Sequence, residues 1–326
     1  MEGDRRRDQA PRLTQMDAMI TSAQVLERVG MRDAIAAIER AFQALDAGHI
    51  AAPVSVGVAV PDGTFHVKAC AANSPAYAQL FVAKINSNFP GNRACDGLPT
   101  IQGVIAVFDA GTGKLRALMD SPAITSLRTA ATTAVAIRHL AQKGARVATL
   151  VGCGALGLTH LQALAVCGIG RVNVFDLDAG RAAGLAAWAC DTLGMECLAV
   201  TDLRVATLAS EVVVTCTTSR VPFLKAGDVR PGTFIAAVGA DNERKSEIAA
   251  SLLAEARIVT DLTAQCRKTG DLRNAVPNES FVCGELVDVV AGRVARTASD
   301  EIVVFDSSGL AIEDLALCAL VLEKTR

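Results

Sequence analysis

The sequence predicts an α/β protein, a Rossmann-type doubly wound parallel sheet joined to a discontinuous α+β domain, and three observations carry that prediction. Residues 146–176 hold an apolar run, Gly152-x-Gly154-x-x-Gly157, a helical stretch, a second apolar run and then Asp176. After them, apolar runs and amphipathic stretches alternate, as a parallel sheet with crossover helices requires. Before them, short runs with strand character are separated by turn residues, which reads as hairpins.

In chain order, MEGDRRRDQAPR at the start is charged and has no apolar segment of the signal-peptide kind, so it reads as a disordered lead-in. Within residues 22–48, the stretch MRDAIAAIERAFQALDAG places Ile35, Ile38, Ala41, Phe42 and Leu45 on one helical face, with Gly48 as its stop. Strands are expected at 54–60, 64–70, 80–85, 101–109 and 115–119, punctuated by Pro61-Asp62-Gly63, Phe89-Pro90-Gly91-Asn92 and Asp109-Ala110-Gly111-Thr112-Gly113. A helix over 126–140 leads into the dinucleotide strand. Parallel strands follow near 147–151, 172–176, 196–200, 211–216, 233–238 and 257–261, with helices near 155–167, 179–193, 203–209 and 246–255. The last strand, 302–305, and the helix 311–322 are expected to come after the sheet is complete and return to the first domain. The expected domains are therefore 1–125 with 302–326, and 126–301.

The glycines have separate physical roles. Gly152 permits a tight turn out of the strand, Gly154 lets a pyrophosphate approach the backbone, and Gly157 lets the helix pack closely. The first helical turn, Ala155 and Leu156, then presents free N–H groups and the positive end of the helix dipole to the phosphates. Asp176 stands where a carboxylate hydrogen-bonds a free ribose 2′-hydroxyl and repels a 2′-phosphate, which favours NAD over NADP. Arg181, five residues on, would serve a phosphate if it folded back. Thr217, Thr218 and Ser219 follow one predicted strand, and Val238 and Gly239 close the next; both groups fall at the carboxyl ends where open sheets bind ligands.

Composition narrows the function classes. A net charge of −2 gives no electrostatic case for nucleic acid or an anionic membrane surface. No uninterrupted apolar run approaches the ~18 residues of a membrane span. The ten cysteines form no CxxC pair and lie mostly in apolar segments, which suits reduced thiols in a cytoplasmic protein. His49, His66, His139 and His160 are isolated, so no metal site is expected.

Residues 97–141, GLPTIQGVIAVFDAGTGKLRALMDSPAITSLRTAATTAVAIRHLA, resemble the core of the ornithine cyclodeaminase and mu-crystallin family. Three more segments match beside the dinucleotide loop: Lys84-Ile-Asn-Ser-Asn-Phe-Pro-Gly-Asn92, Val238-Gly-Ala-Asp-Asn-Glu-Arg-Lys-Ser-Glu247 and Val304-Phe-Asp-Ser-Ser-Gly-Leu-Ala-Ile-Glu-Asp314. The resemblance implies chemistry at an α-carbon bearing nitrogen and a carboxylate, with a homodimer built on the first domain. Arg128 matches the substrate-carboxylate arginine, Lys84 the active-site lysine and Asp241 the acid/base carboxylate, with Lys245 and Glu247 in support.

Two departures qualify the match. Many relatives carry a second arginine in a Pro-x-Arg segment where this chain has Pro53-Val54-Ser55, so carboxylate binding leans on Arg128 and Lys68. His66 falls near the position of a glutamate associated with ornithine in cyclodeaminases. The expected function is thus NAD(P)H-dependent oxidation or reduction at the C–N bond of a small amino acid or cyclic imine carboxylate. Redox-neutral cyclodeamination and binding of NAD(P)H without turnover, as in mu-crystallin, stand as alternatives.

Overall fold

The computed structural model describes residues 18–74, 77–275 and 281–325. The chain opens with β1 (Ala18–Ile20), α1 (Ser22–Arg28) and α2 (Met31–Asp46). Hairpins follow: β2 (Val54–Val60), β3 (Gly63–Ser74), β4 (Ala78–Asn88), the short α3 (Asn92–Cys95), β5 (Ile101–Asp109) and β6 (Leu115–Asp120). These strands form a six-stranded sheet in the order β1-β6-β5-β4-β3-β2, antiparallel except for the β1–β6 pair. The start of the chain, expected to be disordered, lies outside the described residues up to position 17.

The long helix α4 (Ser121–Leu140) starts five residues earlier than expected, because Pro122 fits the first turn, where a missing N–H is no loss. The dinucleotide unit comes next, as β7 (Val147–Val151), α5 (Ala155–Val166), β8 (Arg171–Phe175), α6 (Ala179–Leu193) and β9 (Glu196–Ala199). It continues through α7 (Leu203–Leu208), β10 (Val212–Thr215), β11 (Phe234–Ala237), α8 (Ala250–Glu255), β12 (Arg257–Thr260) and α9 (Thr263–Thr269). A 3₁₀ turn at Asp271–Asn274, β13 (Phe281–Glu285), α10 (Leu286–Val290), β14 (Val303–Asp306) and α11 (Ala311–Glu323) complete the chain.

The second sheet has eight parallel strands in the order β13-β12-β14-β11-β10-β7-β8-β9. Alternate residues of each strand feed two separate cores: Val212 and Val214 lie in one, Val213 in the other. That is the signature of a sheet covered on both faces. The strand order reverses between β7 and β10, where such sheets open a ligand crevice at their carboxyl ends.

The placement expected for 302–305 is corrected. That strand, β14, inserts between β11 and β12 instead of following a finished sheet. Val303, Val304, Phe305 and Asp306 are all buried, as the interior of a parallel sheet demands. The turn after β14 and α11 reach the other sheet, α11 packing on β3, β4, α2 and α4. The helix expected over 246–255 begins at Ala250, because the N–H groups of Glu247 and Ile248 go to the Asp271 carboxylate.

Candidate functional site

The six-stranded sheet sets one wall. Antiparallel register places Ser55, Lys68 and Lys84 in one row across β2, β3 and β4, with Gly57, His66 and Asn86 in the next row on the same face. Lys84 therefore lies in the interior of β4, four residues from its end. Its ammonium is 2.8 Å from both oxygens of Asp314 and 3.5 Å from Thr125 Oγ1. Burial pulls Lys84 down to about 8 even though the Asp314 carboxylate holds it up; the neighbouring Arg128 and Lys68 charges add to the lowering.

Arg128 lies in α4, 7% exposed, and donates from Nη1 to Glu313 Oε2 at 2.6 Å; its Nε is buried with no hydrogen-bond partner. Glu313 also accepts the N–H of Leu310 at 3.1 Å, which fixes the carboxylate at the start of α11. Lys68 donates to the carbonyls of Ser308 (2.9 Å) and Gly309 (2.7 Å), and among the described residues no carboxylate comes within ion-pair distance of it. An ammonium has three donors, so one is left for a ligand. Burial lowers Lys68, as does the Arg128 charge beside it.

Asp241 follows β11 by four residues and pairs with Lys245 at 2.8 Å, its own side chain 44% exposed. Loss of solvent would raise its carboxyl, but Lys245, with Lys68 and His66 beyond it, holds it below the usual range. Burial lowers His66 first of all, against the pull of Asp241. Asp241 lies close enough to Lys68 and His66 for its charge to act on both, so the row on β3 and the turn after β11 face one another. Glu313, Asp314 and Gly309 join the site as well, from the Val304–Asp314 segment, although nothing in the sequence singles them out.

The crevice between β7 and β10 supplies the other wall. Gly152 has φ +104, and a Cβ there would meet the carbonyl oxygen of Cys216 at 2.9 Å. A Cβ on Gly157 would stand 2.7 Å from Gly152 O, so close helix packing requires that glycine too. Gly154 is the N-cap of α5 and makes no side-chain cap, while Ala155 beside it is exposed, leaving the helix N–H groups open to a ligand. Asp176 accepts the N–H of Cys153 at 2.8 Å and of Asp178 at 2.9 Å, which locks its carboxylate beside the glycine loop. Arg181 pairs with Asp178 at 3.3 Å. Thr217 bonds Glu247, Ser219 bonds the carbonyl of Val221, Thr218 is exposed, and Val238 is buried in the sheet wall. These residues fit a dinucleotide in their backbone geometry, since Gly152 and Gly157 occupy positions a side chain could not and nothing crowds Gly154 at the open helix start.

Among the described residues no cluster could hold a metal ion, and no helix is long and apolar enough to cross a membrane. All ten cysteines are free thiols.

A parallel sheet with a glycine-lined crevice at its switch point, facing a wall that carries buried Lys84 and Arg128 and half-buried Lys68, defines a Rossmann-type dinucleotide-binding protein with a second, anion-seeking surface. Residues 15–326 match the model of the ornithine cyclodeaminase/mu-crystallin family, and the chain belongs to that family. It is 33% identical over 313 residues to an alanine dehydrogenase of Archaeoglobus fulgidus, covering 94% of each chain. Among solved structures it resembles an archaeal alanine dehydrogenase dimer with bound NAD (TM-score 0.87, 31% identity, 94% of this chain and 95% of that one). It also resembles the Thermococcus litoralis Δ1-pyrroline-2-carboxylate reductase in complex with NADH and L-proline (TM-score 0.88, 29% identity, 94% and 97%).

Proposed function

We propose that this chain is an NAD(H)-dependent oxidoreductase acting on the C–N bond of a small α-imino or α-amino carboxylate, a cyclic ketimine such as pyrroline-2-carboxylate or an imine of a 2-oxo acid. The observation that supports it most is the convergence of Lys68, Lys84 and Arg128 on one wall opposite the Asp241–Lys245 pair, beside the crevice.

Gly152, Gly154, Ala155, Leu156 and Gly157 would hold the pyrophosphate, and Asp176 the adenosine ribose. Thr217, Thr218, Ser219, Val238 and Gly239 would border the nicotinamide, which supplies or accepts the hydride. The chain's own residues do the rest. Arg128 and the free donor of Lys68 would take the substrate carboxylate, and a guanidinium can engage both its oxygens. With an imine nitrogen near Lys84 and Asp241, the ammonium of Lys84 gives up the proton that nitrogen needs as hydride reaches the carbon. Asp241, kept ionised by Lys245, orients the nitrogen, and in the reverse direction the neutral amine of Lys84 takes the proton back.

Asp176, together with the engagement of Arg181 by Asp178, supports NAD over NADP. The outer face of the six-stranded sheet exposes Val56, Phe65, Ile85 and Val104, an apolar surface suited to a second copy of the chain. The deciding experiment measures initial rates with NADH and NADPH against pyrroline-2-carboxylate, piperideine-2-carboxylate, and pyruvate with ammonia. NADH consumption with at least one of these is expected; no consumption of either cofactor on any of them overturns the proposal. Ornithine giving proline and ammonia without net NADH would establish cyclodeamination instead.

A further inference from the structure

One carboxylate lies under both walls of the crevice without touching it. Glu247 is fully buried, and each of its oxygens accepts two hydrogen bonds. Oε1 takes the N–H and the hydroxyl of Thr217, both at 2.7 Å; Oε2 takes the Thr215 hydroxyl at 2.7 Å and the Gly239 N–H at 2.9 Å. Four donors fill the four lone-pair sites of a carboxylate. Among the described residues no cation pairs with it, so its burial is offset by these directional bonds alone.

The bonds tie together the parts of the proposed site. Thr217 lies against Gly152, where an added Cβ would stand 3.2 Å from Thr217 Cγ2, so the loop after β10 abuts the dinucleotide loop. Gly239 is two residues from Asp241, and a Cβ on it would meet Glu247 Oε1 at 2.4 Å and Thr217 O at 2.6 Å. The turn carrying Asp241 and the loop carrying Thr217 thus approach as closely as backbone permits, with the Glu247 carboxylate as the peg between them. Farther from the crevice, the N–H of Glu247 is held by Asp271, whose own N–H is held by Asp306.

We infer that Glu247 is a positioning residue: its carboxylate fixes the separation of the loop after β10 and the turn after β11, and so sets where Thr217, Thr218, Ser219 and Asp241 stand relative to a bound dinucleotide. The inference rests on the proposed use of this crevice for NAD(H). Glu247→Gln keeps the shape but sets an amide N–H₂ against donors, at least one of them a backbone N–H that cannot turn round.

The test uses the full chain and two readouts: NADH titration by fluorescence without substrate, and kcat at saturating cofactor. Glu247→Gln is expected to weaken NADH about tenfold and lower kcat about tenfold, the scale of a lost buried hydrogen bond. Asp271→Asn, acting on the same network one layer deeper, is expected to lower the unfolding temperature while leaving NADH affinity within about twofold. Wild-type affinity and kcat in Glu247→Gln overturn the inference, as does an equal loss of affinity in Asp271→Asn at matched stability. Should Glu247→Gln not fold, Thr217→Val removes one of the four bonds, and an unchanged NADH affinity there is equally fatal. Wild-type protein that binds NADH but reduces no imine would sink the proposed reaction, while the titration would still decide the role of Glu247.

Discussion

A Cβ on Gly309 would stand 2.3 Å from Nη1 of Arg128. The turn before α11 therefore passes directly over the guanidinium, at φ +80, and the same turn gives its Ser308 and Gly309 carbonyls to Lys68. Two of the three cations on the proposed substrate wall are set by one glycine.

Replacing that glycine displaces the arginine and strains the backbone together. Gly309→Ala is expected to raise KM for the imine or amino acid at least about tenfold, with NADH affinity within about twofold, because the crevice glycines are untouched. Steady-state kinetics with each substrate varied in turn checks it; equal losses for both would mean general loosening.

Removing Arg128 has a structural consequence separate from the proposed loss of substrate binding. Glu313 is fully buried and its carboxylate faces Arg128 Nη1 at 2.6 Å. Arg128→Ala leaves that carboxylate uncompensated, which costs about 3–5 kcal/mol in comparable buried pairs. Arg128→Met combined with Glu313→Gln removes both charges and is expected to recover most of the stability in urea unfolding but none of the rate. Recovery of activity by the double variant would contradict the carboxylate role proposed for Arg128.

The glycine loop was legible in the sequence because its requirements are local: a turn, a close approach and a helix start, all within six residues. The hairpins and the alternating strands were legible for the same reason. Lys84, Arg128 and Asp241 emerged from motif matching, since nothing local marks a lysine within a strand as buried. Glu313 and Asp314 gave no signal of their own, because two acids in a first helical turn are what any helix dipole favours. Their partners, Arg128 and Lys84, lie 185 and 230 residues away. The position of β14 was hidden in the same way: chain order says a strand comes last, and only packing says that it enters the sheet beside β11.

In the proposed site cofactor choice would rest on Asp176, whose two oxygens already hold the N–H groups of Cys153 and Asp178. Asp176→Ser removes the charge that would oppose a 2′-phosphate and loosens the loop. The ratio of kcat/KM for NADPH to that for NADH is expected to rise at least about tenfold, mostly through KM. An unchanged ratio would show that discrimination lies elsewhere.

The pH dependence should belong to Lys84. Burial lowers it to about 8, and Asp314 is the largest influence in the opposite direction. The proposed imine reduction would use the protonated ammonium, so the reductive kcat should hold below pH 8 and fall above it, while oxidation of the amine rises through the same range. Stability carries the matching sign. An amine whose folded value lies below its unfolded one binds fewer protons when folded, so the protein gains stability as pH rises from about 8 towards the ordinary lysine value. Asp314→Asn removes the charge that holds Lys84 up, and the falling limb should move to lower pH by about one unit. Lys84→Arg, which does not titrate in this range, should abolish the limb along with most of the rate. A limb that stays at the same pH in Asp314→Asn would assign the titration to another group and leave Lys84 without the proton-transfer role.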